Sequence, residues 1–193
     1  SGRGTIVTKA LEFGVEVAGD QVAHILERVK DLENVGYHFE VADGSFELML
    51  ERELGTHEPL FELESFRVIT EKRADGRVET EATIKLTHAG ERLVATAEGN
   101  GPVNAMDRAL RSVLTGRVPG LEAIELVNYK VRILDEAKGT SAVTRVLIDS
   151  SDHDDSWGTI GVSENLIEAS WQALVDSLEH GARRAARARA RTA

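Results

Sequence analysis

An internal repeat constrains the fold of this chain more than any other feature of its sequence. Three sets of residues recur at offsets of 62 to 64 positions: Phe66-Arg67-Val68 as Tyr129-Lys130-Val131, Gly99 as Gly161, and Ala105 with Ala109-Leu110 as Ala169 with Ala173-Leu174. Two units of nearly equal length indicate the duplication of one supersecondary unit. Each unit can cover the apolar face of its sheet with its own helix and with its twin.

The first unit is predicted to contain three strands and a helix. Apolar and polar residues alternate between Val78 and Leu86, as in a half-exposed strand, and Asp75-Gly76 suits the tight hairpin turn before it. A second turn at His88-Ala89-Gly90 leads into the third strand. Gly99-Asn100-Gly101-Pro102 then opens a helix, because proline suits a first helical position that needs no N–H donor.

The second unit repeats this order. Its elements are predicted at the following positions: strands at about Ile124–Leu134, Ala142–Asp149 and Ser156–Val162, and a helix from about Asn165 to His180. The repeats therefore span about 60–116 and 122–181. Together they predict an α+β fold with two βββα repeats and internal pseudo-twofold symmetry.

Residues outside the repeats are predicted to be helical at the start and irregular at the end. In residues 1–57, one helix capped by Asp20 ends at Asn34-Val35-Gly36, and a second runs from about Ser45 to Leu54. These helices bury too little surface to form a core alone, so they are expected to dock on a larger structure; the domain that follows is assigned to 58–181. The Ala/Arg-rich tail at 182–193 is predicted to be a frayed or disordered terminus, with an electrostatic contact to an acidic partner as the alternative.

Composition narrows the class of protein. The chain has 33 acidic and 23 basic residues and no cysteine, so disulfides, thiolate metal sites and cysteine nucleophiles are excluded. The acidic body offers no basic face for nucleic acid, and no apolar run is long enough to span a membrane. The expectation is a cytoplasmic protein that binds neither nucleic acid nor membrane.

Several local motifs have both a functional and a structural interpretation. The acidic loop Asp149–Asp155 offers metal ligands, but it lacks the spacing, glycine and terminal glutamate of a calcium loop, so a solvated loop is favoured. Gly99–Pro102 at a helix start can cradle phosphate, yet no Walker lysine follows it, which favours a tight turn. Trp157 and Trp171 are interpreted as packing residues, and Asn165 as a helix cap.

Four segments resemble the C-terminal region of the citramalate synthase and 2-isopropylmalate synthase family. They are SGRGTIVTKALEFGVEV at 1–17, VKDLENVGYHFEVADGSFELML at 29–50, GNGPVNAMDRAL at 99–110 and WGTIGVSENLIEASWQALVDS at 157–177. The resemblance implies a helical linker subdomain at 1–57, a regulatory and dimerisation domain at 58–181, and a homodimer. The first two segments favour the citramalate synthase type.

The same resemblance implies a parent enzyme that condenses acetyl-CoA with a 2-oxo acid, using a divalent metal held in a TIM barrel. That barrel is not in this sequence, and the His-x-His pair of the family's metal site does not occur in it. No catalytic residue, metal site or cofactor is therefore expected in this chain. An acyltransferase that needs only this chain is the least favoured alternative, and a purely structural dimerisation domain is the nearer one.

The resemblance further implies an amino-acid effector site in the second repeat, near the dimer interface. Isoleucine is the expected effector and leucine the alternative. Matched by motif, the predicted wall consists of Val127, Asn128, Ala142, Arg145, Ser163, Glu164, Asn165 and Leu166. Amides near Asn165 would bind the carboxylate, carbonyls near Asn128 the ammonium group, and Val127 with Ala142 the aliphatic side chain.

Overall fold

The computed structural model describes residues 2–135 and 141–193, with two antiparallel sheets and five α-helices in those ranges. The elements are α1 Gly2–Glu12, α2 Gly19–Val35, α3 Asp43–Leu54, β1 Glu62–Lys72, β2 Val78–His88, β3 Glu91–Gly99, α4 Pro102–Leu114, β4 Glu125–Ile133, β5 Thr144–Ser151, β6 Ser156–Ser163 and α5 Leu166–Thr192. Residues 136–140, between the first two predicted strands of the second unit, lie outside the described residues. The predicted α+β fold with two βββα repeats is confirmed.

The two sheets are built alike. Their strand orders are β1-β2-β3 and β4-β5-β6, and neighbouring strands are antiparallel in both. Phe66 lies opposite Ile84 in the first sheet, and the matching Tyr129 lies opposite Ile148 in the second. Each first strand also has a register shift, between Leu63/Ser65 in β1 and Leu126/Asn128 in β4. The duplication therefore extends to the β-bulge.

The matched glycines have the same structural role. A Cβ atom on Gly99 would lie 2.5 Å from the backbone nitrogen of Ala105, and one on Gly161 would lie 1.9 Å from the carbonyl oxygen of Ala169. In each unit the last strand thus touches the first turns of the helix that follows it. Only a residue without a side chain permits this approach.

Two apolar clusters hold the chain together. The larger one lies between the sheets and helices α4 and α5, and its fully buried members include Ile84, Met106, Leu110, Ile148 and Leu174. The smaller one joins α1–α3 to the other face of the second sheet, through residues such as Ile25, Phe46, Leu50 and Ile160. The N-terminal helices therefore dock on a larger structure, as expected, and the surface they use is that of the second repeat.

Two sequence-based boundaries are wrong. Asp20 lies in the first turn of α2 and is not its cap, because the helix begins after Ala18, whose N–H donates to Gln21 Oε1 (2.9 Å). Helix α5 continues to Thr192 instead of ending near His180. Arg183, Arg184 and Arg187 on this extension pair with carboxylates of the same chain, so the expected frayed or disordered terminus is an ordered helix.

Candidate functional site

Six of the eight predicted effector-site residues lie at one end of the second sheet. Ser163 ends β6 opposite Thr144, Arg145 lies opposite Val162, and Ala142 is buried just before β5. The Arg145 Nε donates to the carbonyl oxygen of Gly36 (2.7 Å), which ties this end of the sheet to the end of α2. Burial, together with nearby Arg132, lowers the pKa of Arg145.

The start of α5 confirms Asn165 as a helix cap. Its Oδ1 accepts from the N–H groups of Ile167 (2.9 Å) and Glu168 (3.1 Å), while its own N–H donates to Ser163 Oγ (3.0 Å). These three amides already have acceptors within the chain. A carboxylate bound here must therefore use the amide of Leu166 or displace one of those contacts.

Val127 and Asn128 lie at the opposite end of the same sheet. Asn128 pairs with Asp149, five residues along β5 from Thr144, which corresponds to about 17 Å at the rise of a strand. Val127 is the residue at the bulge and is exposed. Within one chain, the eight predicted residues thus form two separate groups.

The acidic loop after β5 is organised by its own backbone. Asp152 Oδ1 accepts from the N–H groups of Asp154 and Asp155, both at 2.9 Å, and Arg184 pairs with Asp152 and Asp155. Burial opposes ionisation of Asp152, but these backbone hydrogen bonds and Arg184 lower its pKa. Among residues 2–135 and 141–193, no group of three His, Cys, Asp or Glu side chains is arranged to hold a metal ion.

Both tryptophans are packing residues, as predicted. The Trp171 ring stacks on Phe66 of the first repeat at a centroid distance of 4.9 Å and meets Phe61 edge-on. Trp157 is buried against α5, where its Nε1 donates to the carbonyl oxygen of Ser177 (3.2 Å). Trp171 thus joins the helix of one repeat to the first strand of the other.

A groove between the start of α4 and β4 combines apolar walls with polar groups. It has a volume of about 700 Å³ and is lined by Asn100, Gly101, Pro102, Val103, Asn104, Asp107, Arg111, Ile124, Glu125, Leu126 and Tyr129. Asn104 Oδ1 accepts from the Asn100 N–H (3.1 Å), and Asp107 pairs with Arg111 (2.8 Å). The sequence favours a tight turn over a phosphate cradle at Gly99–Pro102, and it does not indicate this groove, because strand β4 is distant in sequence.

Strand β4 also presents an exposed apolar row. Tyr129, Val131 and Ile133 lie opposite Ile148, Val146 and Thr144, whose side chains are buried on the α5 side of the sheet. The Tyr129 hydroxyl is 2.9 Å from Ser170 Oγ of α5, yet 43 to 55% of each of the three β4 residues remains exposed. Helix α5 therefore does not reach across this edge strand, and the row is a candidate interface.

No helix in the described ranges is long and apolar enough to cross a membrane.

Comparison with known proteins gives one family match, the LeuA allosteric (dimerisation) domain, over residues 40–181.

Two similar relatives are the (R)-citramalate synthases of Streptomyces coelicolor and Geobacter sulfurreducens, which are 52% and 49% identical over 96% and 93% of this chain. A 2-isopropylmalate synthase of Methylorubrum populi is 30% identical over 92% of it. The matched segment is 35% of the length of each of the first two relatives and 32% of the third, so this chain spans about a third of these curated relatives.

Proposed function

Because this chain belongs to the citramalate synthase and 2-isopropylmalate synthase family, as linker helices followed by a LeuA allosteric (dimerisation) domain, we propose that it senses a branched-chain amino acid and joins two subunits. The parent enzyme would condense acetyl-CoA with pyruvate in isoleucine biosynthesis. The alternative is a leucine-sensing 2-isopropylmalate synthase. The family match over residues 40–181 carries this proposal, and in this assignment the chain performs no chemistry itself.

The proposed interface is the apolar row Tyr129, Val131 and Ile133. An edge strand whose apolar side chains face the core side of its sheet, but which its own helices leave uncovered, suits isologous contact with the same surface of a second copy. Pairing two such rows removes apolar area from water on both subunits.

We propose two candidate positions for the effector. The first is the predicted second-repeat site, where a dimer would have to bring the two separated groups of residues together. The second is the α4 groove, where Val103, Ile124 and Leu126 offer an apolar wall, and Asp107 offers a carboxylate for an ammonium group. This groove shares Tyr129 with the proposed interface, so occupancy and dimerisation would be coupled.

Calorimetric titration with isoleucine and with leucine tests the function and separates the two positions. We expect the wild type to bind isoleucine. Filling Ala142 with Phe abolishes binding if the second-repeat site is used, whereas Val103→Phe abolishes it if the α4 groove is used. Each variant serves as the control of the other, with circular dichroism to verify folding. Failure of the wild type to bind either amino acid at millimolar concentration would favour a purely structural dimerisation domain.

A further inference from the structure

Helices α3 and α5 are joined by an unusually charged contact, which we call the α3–α5 seam. Its members are Glu47, Glu51 and Arg52 on α3, His57 after it, and Asp176, Glu179, His180, Arg183 and Arg187 on α5. The α5 residues recur at helical spacings of three and four, so they form one stripe facing α3. Four carboxylates are thus gathered between two helices.

One end of the seam centres on two buried glutamates of α3. The Glu47 side chain has no solvent exposure; its Oε2 is 2.9 Å from His180 Nδ1, and its Oε1 contacts the Arg187 guanidinium. Glu51 Oε2 lies 3.0 Å from Arg183 Nε, and Glu51 Oε1 lies 3.8 Å from Arg187 Nη2. Arg183 and Arg187 therefore supply the guanidinium counter-charges of both glutamates.

The other end of the seam has its own partners. Asp176 accepts from Ser45 Oγ (2.8 Å) and Arg52 Nη2 (3.0 Å), and Glu179 Oε2 is 2.7 Å from His57 Nε2. None of these contacts involves Arg183 or Arg187. Loss of the two arginines would therefore leave Glu47 and Glu51 without guanidinium partners, while the ion pairs at this end of the seam remain.

The electrostatics show how closely the glutamates depend on these partners. Burial alone would raise the pKa of Glu47, but His180 and Arg187 outweigh burial and lower it. For Glu51 burial dominates and its pKa is raised, in spite of Arg183 and Arg187. Removing a counter-charge from a buried carboxylate is strongly unfavourable, because the remaining charge is left in a poorly solvated site.

The two arginines lie outside the matched domain. The family match ends at residue 181, whereas Arg183 and Arg187 lie on the extension of α5, and both glutamates lie within the match. The chain thus adds positive charge where α3 has buried negative charge. The acidic surface that the Arg-rich tail contacts belongs to the same chain.

We infer that Arg183 and Arg187 are positioning residues that lock helix α3, which carries α1 and α2, onto the last helix α5. Helix α3 joins α1 and α2 to the sheets, so the linker helices cannot move away from the second repeat without separating Glu47 and Glu51 from these arginines. The C-terminal extension of α5 then holds the N-terminal helices in contact with the second repeat. This inference requires neither effector binding nor dimerisation.

Hydrogen exchange on the full chain, read by mass spectrometry, tests the lock. Arg183→Gln combined with Arg187→Gln should accelerate exchange in α3 by about 100-fold, while the amides of β2 keep their protection. The matched control is Arg189→Gln with Arg191→Gln on the same helix. These control residues have exposed side chains, so α3 should exchange as in the wild type.

A rescue separates charge compensation from general damage to the fold. Adding Glu47→Gln and Glu51→Gln to the arginine variant removes the uncompensated charges, so protection of α3 should return to within about tenfold of the wild type. If the arginine variant unfolds as a whole, the same rescue still decides, since recovery supports the lock. Unchanged α3 exchange in the arginine variant, or no recovery in the glutamine background, would overturn the inference.

Discussion

Asp176 is a buried acidic residue whose pKa is far from its ordinary value. Its carboxylate lies in the contact between α5 and α3, and burial raises its pKa to about 6, although Arg52 and the Ser45 hydroxyl stabilise the ionised form. The folded state therefore binds a proton more tightly at this carboxyl than the unfolded chain does. By linkage, the stability associated with this group is fully present below its unfolded pKa, near 4, and is lost as pH rises through about 6.

We predict that Asp176→Asn stabilises the fold above pH 6. The asparagine carbonyl oxygen can accept from Ser45 Oγ or Arg52, as the Asp176 carboxylate does, but the amide carries no charge to desolvate. The difference from the wild type should be at most about 3 kcal/mol near pH 8, for a pKa raised by about two units, and should shrink as pH falls toward 4. Urea unfolding at a series of pH values measures it.

Asp31→Asn on the exposed surface of α2 is the control, and it should follow the wild type throughout. Parallel stability curves for Asp176→Asn and the wild type between pH 4 and pH 8 would show that burial does not penalise the Asp176 charge.

Individual residues differ in how far sequence alone could place them. Asn165 could be recognised as a cap because its partners, the amides of Ile167 and Glu168, are two and three positions away. The roles of Arg183 and Arg187 could not, because Glu47 and Glu51 are more than 130 positions away. An Ala/Arg-rich segment has the composition of a loose terminus until its counter-charges are known.

Strand β4 leaves several apolar side chains exposed to solvent. Its apolar residues alternate as for a buried face, yet the row Tyr129, Val131 and Ile133 remains exposed at the edge of the second sheet. Its counterpart β1 is better covered, because Trp171 of α5 stacks on Phe66. An uncovered edge strand with apolar side chains invites association with another chain.

We predict that Val131→Glu converts a dimer of this chain into a monomer. A carboxylate at the centre of the apolar row would have to be buried unpaired in an isologous contact, twice per dimer, weakening association by at least about 100-fold. Light scattering at tens of micromolar gives the mass. The matched control is Val94→Glu, an exposed valine on strand β3 of the first sheet, which should remain dimeric.

Two outcomes would contradict this placement of the interface. One is a wild type that is monomeric at tens of micromolar even with isoleucine. The other is a Val131→Glu variant that keeps the wild-type mass.

Most elements could be predicted from local patterns, whereas the assembly of the site could not. The hairpins, the Gly99–Pro102 turn and the matched repeats follow from period and turn chemistry within a few residues. The register of β4 against β5 does not, and it places Asn128 opposite Asp149, far from Ser163. A one-dimensional match of motifs carries no information about which end of a sheet each residue occupies.

At the scale of the whole molecule, duplication has produced two units with different surroundings. The second sheet is covered on one face by α5 and on the other by the N-terminal helices, through Ile160 with Leu147 and Val162. The corresponding face of the first sheet carries Thr83 and Thr96 in a hydrogen-bonded pair and an exposed Val94. The N-terminal helices therefore contact the second unit directly, and they are connected to the first unit only through the core that the two units share.

We predict that the chain alone forms no citramalate. It spans about a third of the relatives that are named for that activity, and the resemblance places the metal and the condensation in a barrel that this sequence does not contain. We expect no thiol release from acetyl-CoA with pyruvate and Mg²⁺ or Mn²⁺ above a no-protein control, while the Streptomyces coelicolor relative serves as the positive control. Release that scales with the concentration of this chain, and that persists after further purification, would mean that chemistry resides in the linker or the sheets. In that case the assignment as a non-catalytic regulatory module would have to be abandoned.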